Sequence, residues 1–530
     1  MLQAQTPASP VPAPVRHDFE GILSFLSSNW MEGREAGARG GFMAADYIAS
    51  MMQINGLQPY GDEGNGYPTA LALKGNRSFF QNFIVVRHHV EKSILSVIQQ
   101  SAEGENSILL SPDTDYQIDP IPFSREAVAP LIFAGYGIEA PGNGYNDYAD
   151  LDVRNCIVVV LDGFPGHTDT TSRAWKKLGT NFGTEFASSS SKLRVAERHG
   201  ASALVVIHCA DSDNQYQPLL VNRDVVNIAM NKSKPTEPEY DTPGYNLPGD
   251  TATTTIPCFM TGAEASRLIA TGIGTDLSAF EKKAAREMKT DSKRVSGKKV
   301  RFSVTVKNEL LEVRNVLGII PGTDTTKNII VGAHYDHLGT RNEWIYNGAD
   351  DNASGVAGLL ALSGYWAAGE AKPVCNIIFA AWTAEEKGLL GSSYYVSHTQ
   401  ATPDRTLLYI NMDMIGRSAP DDTARRILSI GTMTVGDSLR SIAKRSNLRL
   451  QHPFELDLWD VAGHSGSDYA SFMAVNIPIM TFFSGFHDDY HSPRDVASKI
   501  DARKMENILR IVNDCLWESL KNPPVRERNY

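Results

Sequence analysis

Residues 328–339 read NIIVGAHYDHLG, followed by GADDNASGVAGLLALSGYWAA at 348–368, NIIFAAWTAEEKG at 376–388 and LLYINMDMIG at 407–416. The apolar runs at 328–333, 376–381 and 407–412 are strand-length. Each breaks off at His, Asp or Glu. Residues 353–368 and 389–398 lie between them and read as helices. Strands alternating with helices of this length predict an α/β fold, with a mixed, largely parallel sheet between helices. Functional groups in such sheets collect beyond the carboxyl ends of the strands. The pattern continues outward to an alternating strand around Val304 and Val306, a strand at 477–483 and an amphipathic final helix at 505–520.

Upstream, 18–27 reads as a helix. A second helix begins near Gly41, with Phe42, Ala45, Ala49 and Met52 on one face, and stops at Asn55-Gly56. Strands are expected at 79–86, 131–135, 156–161 and 203–207, with a helix at 192–199. Residues 210–256 read as a long irregular region. Residues 281–299 carry eight Lys or Arg and read as a solvated connecting helix.

The 530 residues hold 50 Lys+Arg against 61 Asp+Glu, a net charge of −11. That acidic balance excludes a dedicated nucleic-acid binder, which needs a basic face. No apolar run approaches the ~18–20 residues needed to span a bilayer. Cys156, Cys209, Cys258, Cys375 and Cys515 are scattered and odd in number, so they form neither a disulfide framework nor a zinc ribbon. The start, with Pro7, Pro10, Pro12 and Pro14, reads as a stiff solvated spacer of the kind that follows an export signal, and an exported protein is expected.

The polar signals fall after the strands. His334 and Asp336 are two apart, so both side chains point the same way on a strand, and the carboxylate can fix the tautomer of a metal-bound imidazole. Asp350-Asp351 opens a helix of small residues, where one Asp would suffice as a cap. Glu385-Glu386 cannot share one face, so one suits metal binding and the other proton handling. Asp413 interrupts an apolar strand end, a costly place for an unpaired carboxylate. The loop 487–495 supplies His487 and His491 among several acids. Two His and at least three carboxylates at successive strand ends form a donor set for two divalent cations. Two metals ~3.5–4 Å apart can activate one water and polarise a carbonyl.

In order and in kind, these five motifs, across roughly 301–525, resemble the co-catalytic di-zinc aminopeptidase family. That family includes secreted bacterial aminopeptidases, glutamate carboxypeptidases and the catalytically inactive transferrin receptor. The resemblance implies two Zn²⁺ per chain: His334 and Asp413 on one, Glu386 and His491 on the other, and Asp351 bridging. It implies that Glu385 is the general base, that Asp336 orients His334, that Asp350 is not a ligand, and that His464 and His487 lie outside the ligand set. Asp468 matches a family position usually followed by His; here Tyr469 follows. Residues 127–272, through Tyr145-Asn146-Asp147-Tyr148 and the helix and strand beyond, resemble a protease-associated domain. Glu32-Gly33-Arg34 and Gly56-Leu57-Gln58-Pro59 look like the start of the catalytic domain.

The expected layout is a spacer at 1–15, the first part of the catalytic domain at 16–125, an inserted protease-associated domain at 126–275, and the remaining zinc peptidase domain at 276–530. The expected activity is hydrolysis of N-terminal residues from peptide substrates. A dipeptidase or carboxypeptidase would share the ligand set. A glutaminyl-cyclase-like acyltransferase would use one zinc and lack the Asp-Asn-Ala-Ser-Gly helix start, and a receptor would lack intact ligands and Glu385.

Overall fold

In a computed structural model the described residues are 9–63, 77–101, 104–179, 186–208, 243–250, 254–341, 343–369, 372–399, 401–402, 404–433, 438–462 and 464–524. Cys209, most of the expected irregular region and the first half of the Pro-rich spacer lie outside them. The chain divides into two compact units, 1–85 with 246–248 and 310–530, and 86–245 with 249–309.

The first unit is a mixed sheet between helices. Its central strands Cys375–Trp382, Asp324–His334, Thr406–Met412 and Ile479–Phe483 are mutually parallel neighbours. Ile427–Met433 pairs antiparallel to Ile479–Phe483 and carries the edge strand Glu455–Asp460 in parallel. On the other side, the end of Lys293–Ile320 pairs antiparallel to Cys375–Trp382. The central strands read as near-continuous apolar runs because both of their faces are buried. Ile329, Val331, Ile377 and Phe379 pack on one face and Ile330, Ile378 and Ala380 on the other, all fully buried. The first face is covered by Arg16–Leu26, Arg39–Ile54, Gly355–Ala367 and Ala502–Lys521. The strand ends therefore gather His334, Glu385, Glu386 and Asp413 at one edge, as parallel pairing requires.

The second unit has its own sheet, ordered Tyr116–Ile118, Cys258–Thr261, Ala203–Ile207, Ile157–Leu161, Arg125–Phe133 and the start of Lys293–Ile320. Its limits differ from the expected 126–275. Two long strands, Phe80–Ser101 and Lys293–Ile320, each run from one unit into the other. A boundary inside a continuous strand leaves no turn and no shift of composition to read. Residues 281–299 are also not one connecting helix. A helix ends at Glu287, and Lys293 already begins a strand whose alternate residues Val300, Phe302 and Val304 are buried.

Candidate metal centre

Asp351 sits where the helix Gly355–Ala367 begins, but it caps nothing: Asn352 Oδ1 accepts from the Gly355 amide at 3.0 Å instead. Asn352 also donates to the Met412 carbonyl at 2.9 Å, tying this turn to the strand end that carries Asp413. Gly348, at φ 52°, has no space for a side chain. A Cβ there would lie 2.1 Å from the Asp351 carbonyl oxygen and 2.5 Å from the His337 ring. Asp495 accepts from the amides of Asp350 and Asp351 at 2.9 and 3.1 Å, which fixes the direction of the Asp351 side chain.

The two oxygens of Asp351 face different neighbours. Oδ1 lies 3.3 Å from His334 Nε2, which is also 3.3 Å from Asp413 Oδ1. Oδ2 lies 3.1 Å from His491 Nε2, which is 3.2 Å from Glu386 Oε2. Zinc with ligands at ~2.0–2.1 Å in a tetrahedron holds adjacent donors about 3.3 Å apart. Donor types and separations thus fit two zinc-sized ions that share Asp351. The five expected ligands converge, in the expected pairs.

Glu385 turns the other way from Glu386, its Oε2 3.9 Å from His334 Nε2. Burial, reinforced by Glu386, Asp413 and Asp468, pushes the Glu385 carboxyl well above the usual range, against the pull of His334. Glu386 is held well below that range by His491 and His337, against its own burial. Lys387 reaches Glu35 at 3.1 Å.

Asp336 departs from expectation. His334 Nδ1 faces the Asp336 main-chain carbonyl at 3.1 Å, while the nearest carboxylate oxygen is 4.0 Å away. The carbonyl therefore fixes the tautomer that leaves Nε2 free to bind metal, and Asp336 Oδ1 accepts from the Glu385 amide at 3.1 Å. The strand ends at His334, so strand alternation no longer places the residue two further on beside it. Asp350 accepts from the Gly416 amide at 2.7 Å, and its other oxygen lies 3.5 Å from His487 Nε2.

Three residues escaped the sequence reading. His337 Nδ1 is 2.8 Å from Glu386 Oε1 and 3.6 Å from Asp351 Oδ2, which adds a fourth donor around the second cluster. Its position three residues past His334 was the available signal. Asp495 and Arg34 act on main-chain groups, so although Arg34 falls in the Glu32-Gly33-Arg34 stretch, nothing in the sequence shows what either bonds. Behind Asp413 a buried chain runs from Trp382 Nε1 to Tyr409 Oη (2.9 Å), Asn411 Oδ1 (2.7 Å) and, through Asn411 Nδ2, Ser467 Oγ (3.0 Å). Ser467 donates to Asp413 Oδ2 at 2.6 Å, which leaves Oδ1 for the cluster. Gly332 makes room for this chain, since a Cβ would lie 2.6 Å from Trp382 Nε1. Asp468, wholly buried, is pushed up to about 7 by that burial.

A mixed α/β scaffold that gathers two clustered donor sets is suited to holding two metal ions. Residues 315–516 match the model of Peptidase family M28. Over 130 residues the chain is 38% identical to aminopeptidase NAALADL1 of Rattus norvegicus, covering 22% of this chain and 16% of that one. It is 29% identical over 174 residues to leupeptin-inactivating enzyme 1 of Streptomyces exfoliatus, with 32% and 36% covered. It is 31% identical over 188 residues to leucine aminopeptidase 2 of Trichophyton rubrum, with 32% and 33% covered. The matched segment thus spans from about a sixth to about a third of these relatives' lengths. The solved aminopeptidase from Aneurinibacillus sp. strain AM-1 has the same fold, with a TM-score of 0.56 at 18% identity over 97% of this chain and 94% of that one.

Proposed function

We propose that this protein is a zinc-dependent exopeptidase that removes N-terminal residues from peptides. The observation that carries this reading is Asp351, whose two oxygens each face a separate His–carboxylate pair at tetrahedral-edge distances. Two zinc ions held there would supply Lewis acidity toward a peptide carbonyl and lower the pKa of the attacking water. His334 and Asp413 would hold one ion, Glu386 and His491 the other, and Asp351 both. Glu385 is the nearby carboxylate that this ligand set does not use, and it takes the proton of the attacking water and delivers it to the leaving amine. Ser467 and the Asp336 carbonyl hold Asp413 and His334 in their binding orientations.

Aminopeptidase polarity is supported by the names of some relatives, while others that match are named glutamate carboxypeptidase. It is also supported by the arginines nearest the motifs: Arg417 and Arg494 both pair with Asp489, at 2.9 and 3.0 Å, so neither is set aside for a substrate carboxylate. The second unit is a protease-associated domain carried within the peptidase chain, and the protein works outside the cytoplasm. Among the described residues no helix is long and apolar enough to cross a membrane. The test is a panel of aminoacyl chromogenic amides beside N-blocked and C-blocked dipeptides, before and after zinc removal. Cleavage is expected for free N-termini only, and only with zinc. Cleavage of N-blocked substrates would refute the aminopeptidase reading.

A further inference from the structure

Glu32, Gly33 and Arg34, a motif without a part in the chemistry above, occupy the left-handed region in succession, at φ 49°, 68° and 52°. Two of the three are not glycine, and such a run persists only where its surroundings over-determine it. Here they do. A Cβ on Gly33 would lie 2.3 Å from the Gly339 carbonyl oxygen and 2.7 Å from that of Tyr346, so the turn is pressed against the hairpin between His337 and Gly348. The Arg34 guanidinium is wholly buried. Its Nε donates to the Tyr335 carbonyl at 2.7 Å, Nη1 to those of Leu26 and Asn347 at 2.7 Å each, and Nη2 to that of Gly348 at 2.9 Å. The Arg34 carbonyl in turn accepts from the His337 amide at 3.2 Å. Tyr335 stands between His334 and Asp336, and Gly348 opens the turn that carries Asp351. One side chain therefore bonds both ligand-bearing turns.

We propose that Arg34 is a positioning residue of the metal centre, a buried fork that holds the His334 turn and the Asp351 turn in register so that Asp351 faces both donor pairs. The proposal rests on the two-metal reading above. Its positive charge also lies among Asp351, Asp495, Asp336 and Glu386, and partly offsets their mutual repulsion before metal arrives. Burial lowers the guanidinium to about 10, which still leaves it charged at neutral pH. Lysine could supply the charge but not the planar set of donors that reaches carbonyls on different segments.

The test compares wild type with Arg34→Lys and Arg34→Gln. Each is stripped of metal and titrated with zinc against a chromophoric chelator, and the metal-free melting temperature is read alongside. Wild type is expected to take up two zinc ions, and each folded variant to bind zinc about 10–100-fold more weakly, the range seen when groups that orient metal ligands are lost. A folded variant with lowered melting temperature but unchanged zinc affinity overturns the proposal and leaves the two-metal reading intact. Wild type that binds no zinc overturns both. Should neither variant fold, hydrogen exchange on the wild type decides, because coupling between clamp and metal is reciprocal. Zinc loading is expected to slow exchange across residues 26–38, which contain no ligand; unchanged exchange there overturns the proposal.

Discussion

Glu385→Gln and Glu386→Gln differ by one position and should fail in opposite ways. Glu386 Oε2 is 3.2 Å from His491 Nε2, and Oε1 is 2.8 Å from His337 Nδ1, so its carboxylate is committed to the second cluster. Glu385 lies 3.9 Å from His334 Nε2, beyond the 3.1–3.3 Å spacing of the ligand pairs. Removing Glu385's ability to accept a proton should cost the general-base contribution, about 10²–10⁴ in kcat, while two zinc ions stay bound. Losing that factor raises the barrier by about 3–5.5 kcal/mol. Replacing Glu386 removes a charged donor that faces His491 and His337, so zinc occupancy should fall below two per chain and excess zinc should restore part of the activity. Turnover of an aminoacyl amide and zinc content by atomic absorption, measured on the same samples, read both quantities. Near-normal activity in both variants would mean two solvated loop acids. Loss of metal from the Glu385 variant alone would reverse the roles.

Removal of zinc by a strong chelator should abolish activity and lower the melting temperature, both restored by added zinc; full activity after verified removal would refute the metallopeptidase reading. Tyr409→Phe cuts the chain that ends on Asp413 and should cost about 1–3 kcal/mol in urea unfolding, because Asn411 Oδ1 and Trp382 Nε1 lose a buried partner; an unchanged midpoint would refute that role. Burial pushes Asp147 up to about 7, so between about pH 4 and 7 the folded chain keeps a proton that the unfolded chain has lost. Its contribution to stability therefore falls as pH rises through that window, by on the order of 4 kcal/mol. Asp147→Asn should flatten the fall, and parallel pH–stability curves for variant and wild type would refute it.

His334 and Asp413 were legible because each breaks off an apolar run, and Asp351 because it opens a helix, where an acid or imidazole has few other uses; Glu386 and His491 were singled out among neighbouring acids and histidines through the resemblance. The pairing of Asp351 with both histidines was legible only through family resemblance, since nothing in the spacing says which oxygen faces which ring. Arg34 and Asp495 were illegible because their partners are main-chain carbonyls and amides that every residue carries. Asp336 misled for a related reason: the reading assumed that the strand continues past His334, and it ends there. The edge strand Glu455–Asp460 and its neighbour Ile427–Met433 went unread because partly exposed strands that alternate with polar residues resemble loops.

The first unit is assembled from both ends of the chain, with the second strung between them. During synthesis the clamp residue Arg34 emerges 491 − 34 = 457 residues before His491. The intervening 86–309 can fold as it appears, because domains fold as units in the order they are made. The donor set cannot close around an ion until His491 has been delivered. A chain that stops short of the loop 487–495 lacks one donor of the second cluster, however completely the rest has folded.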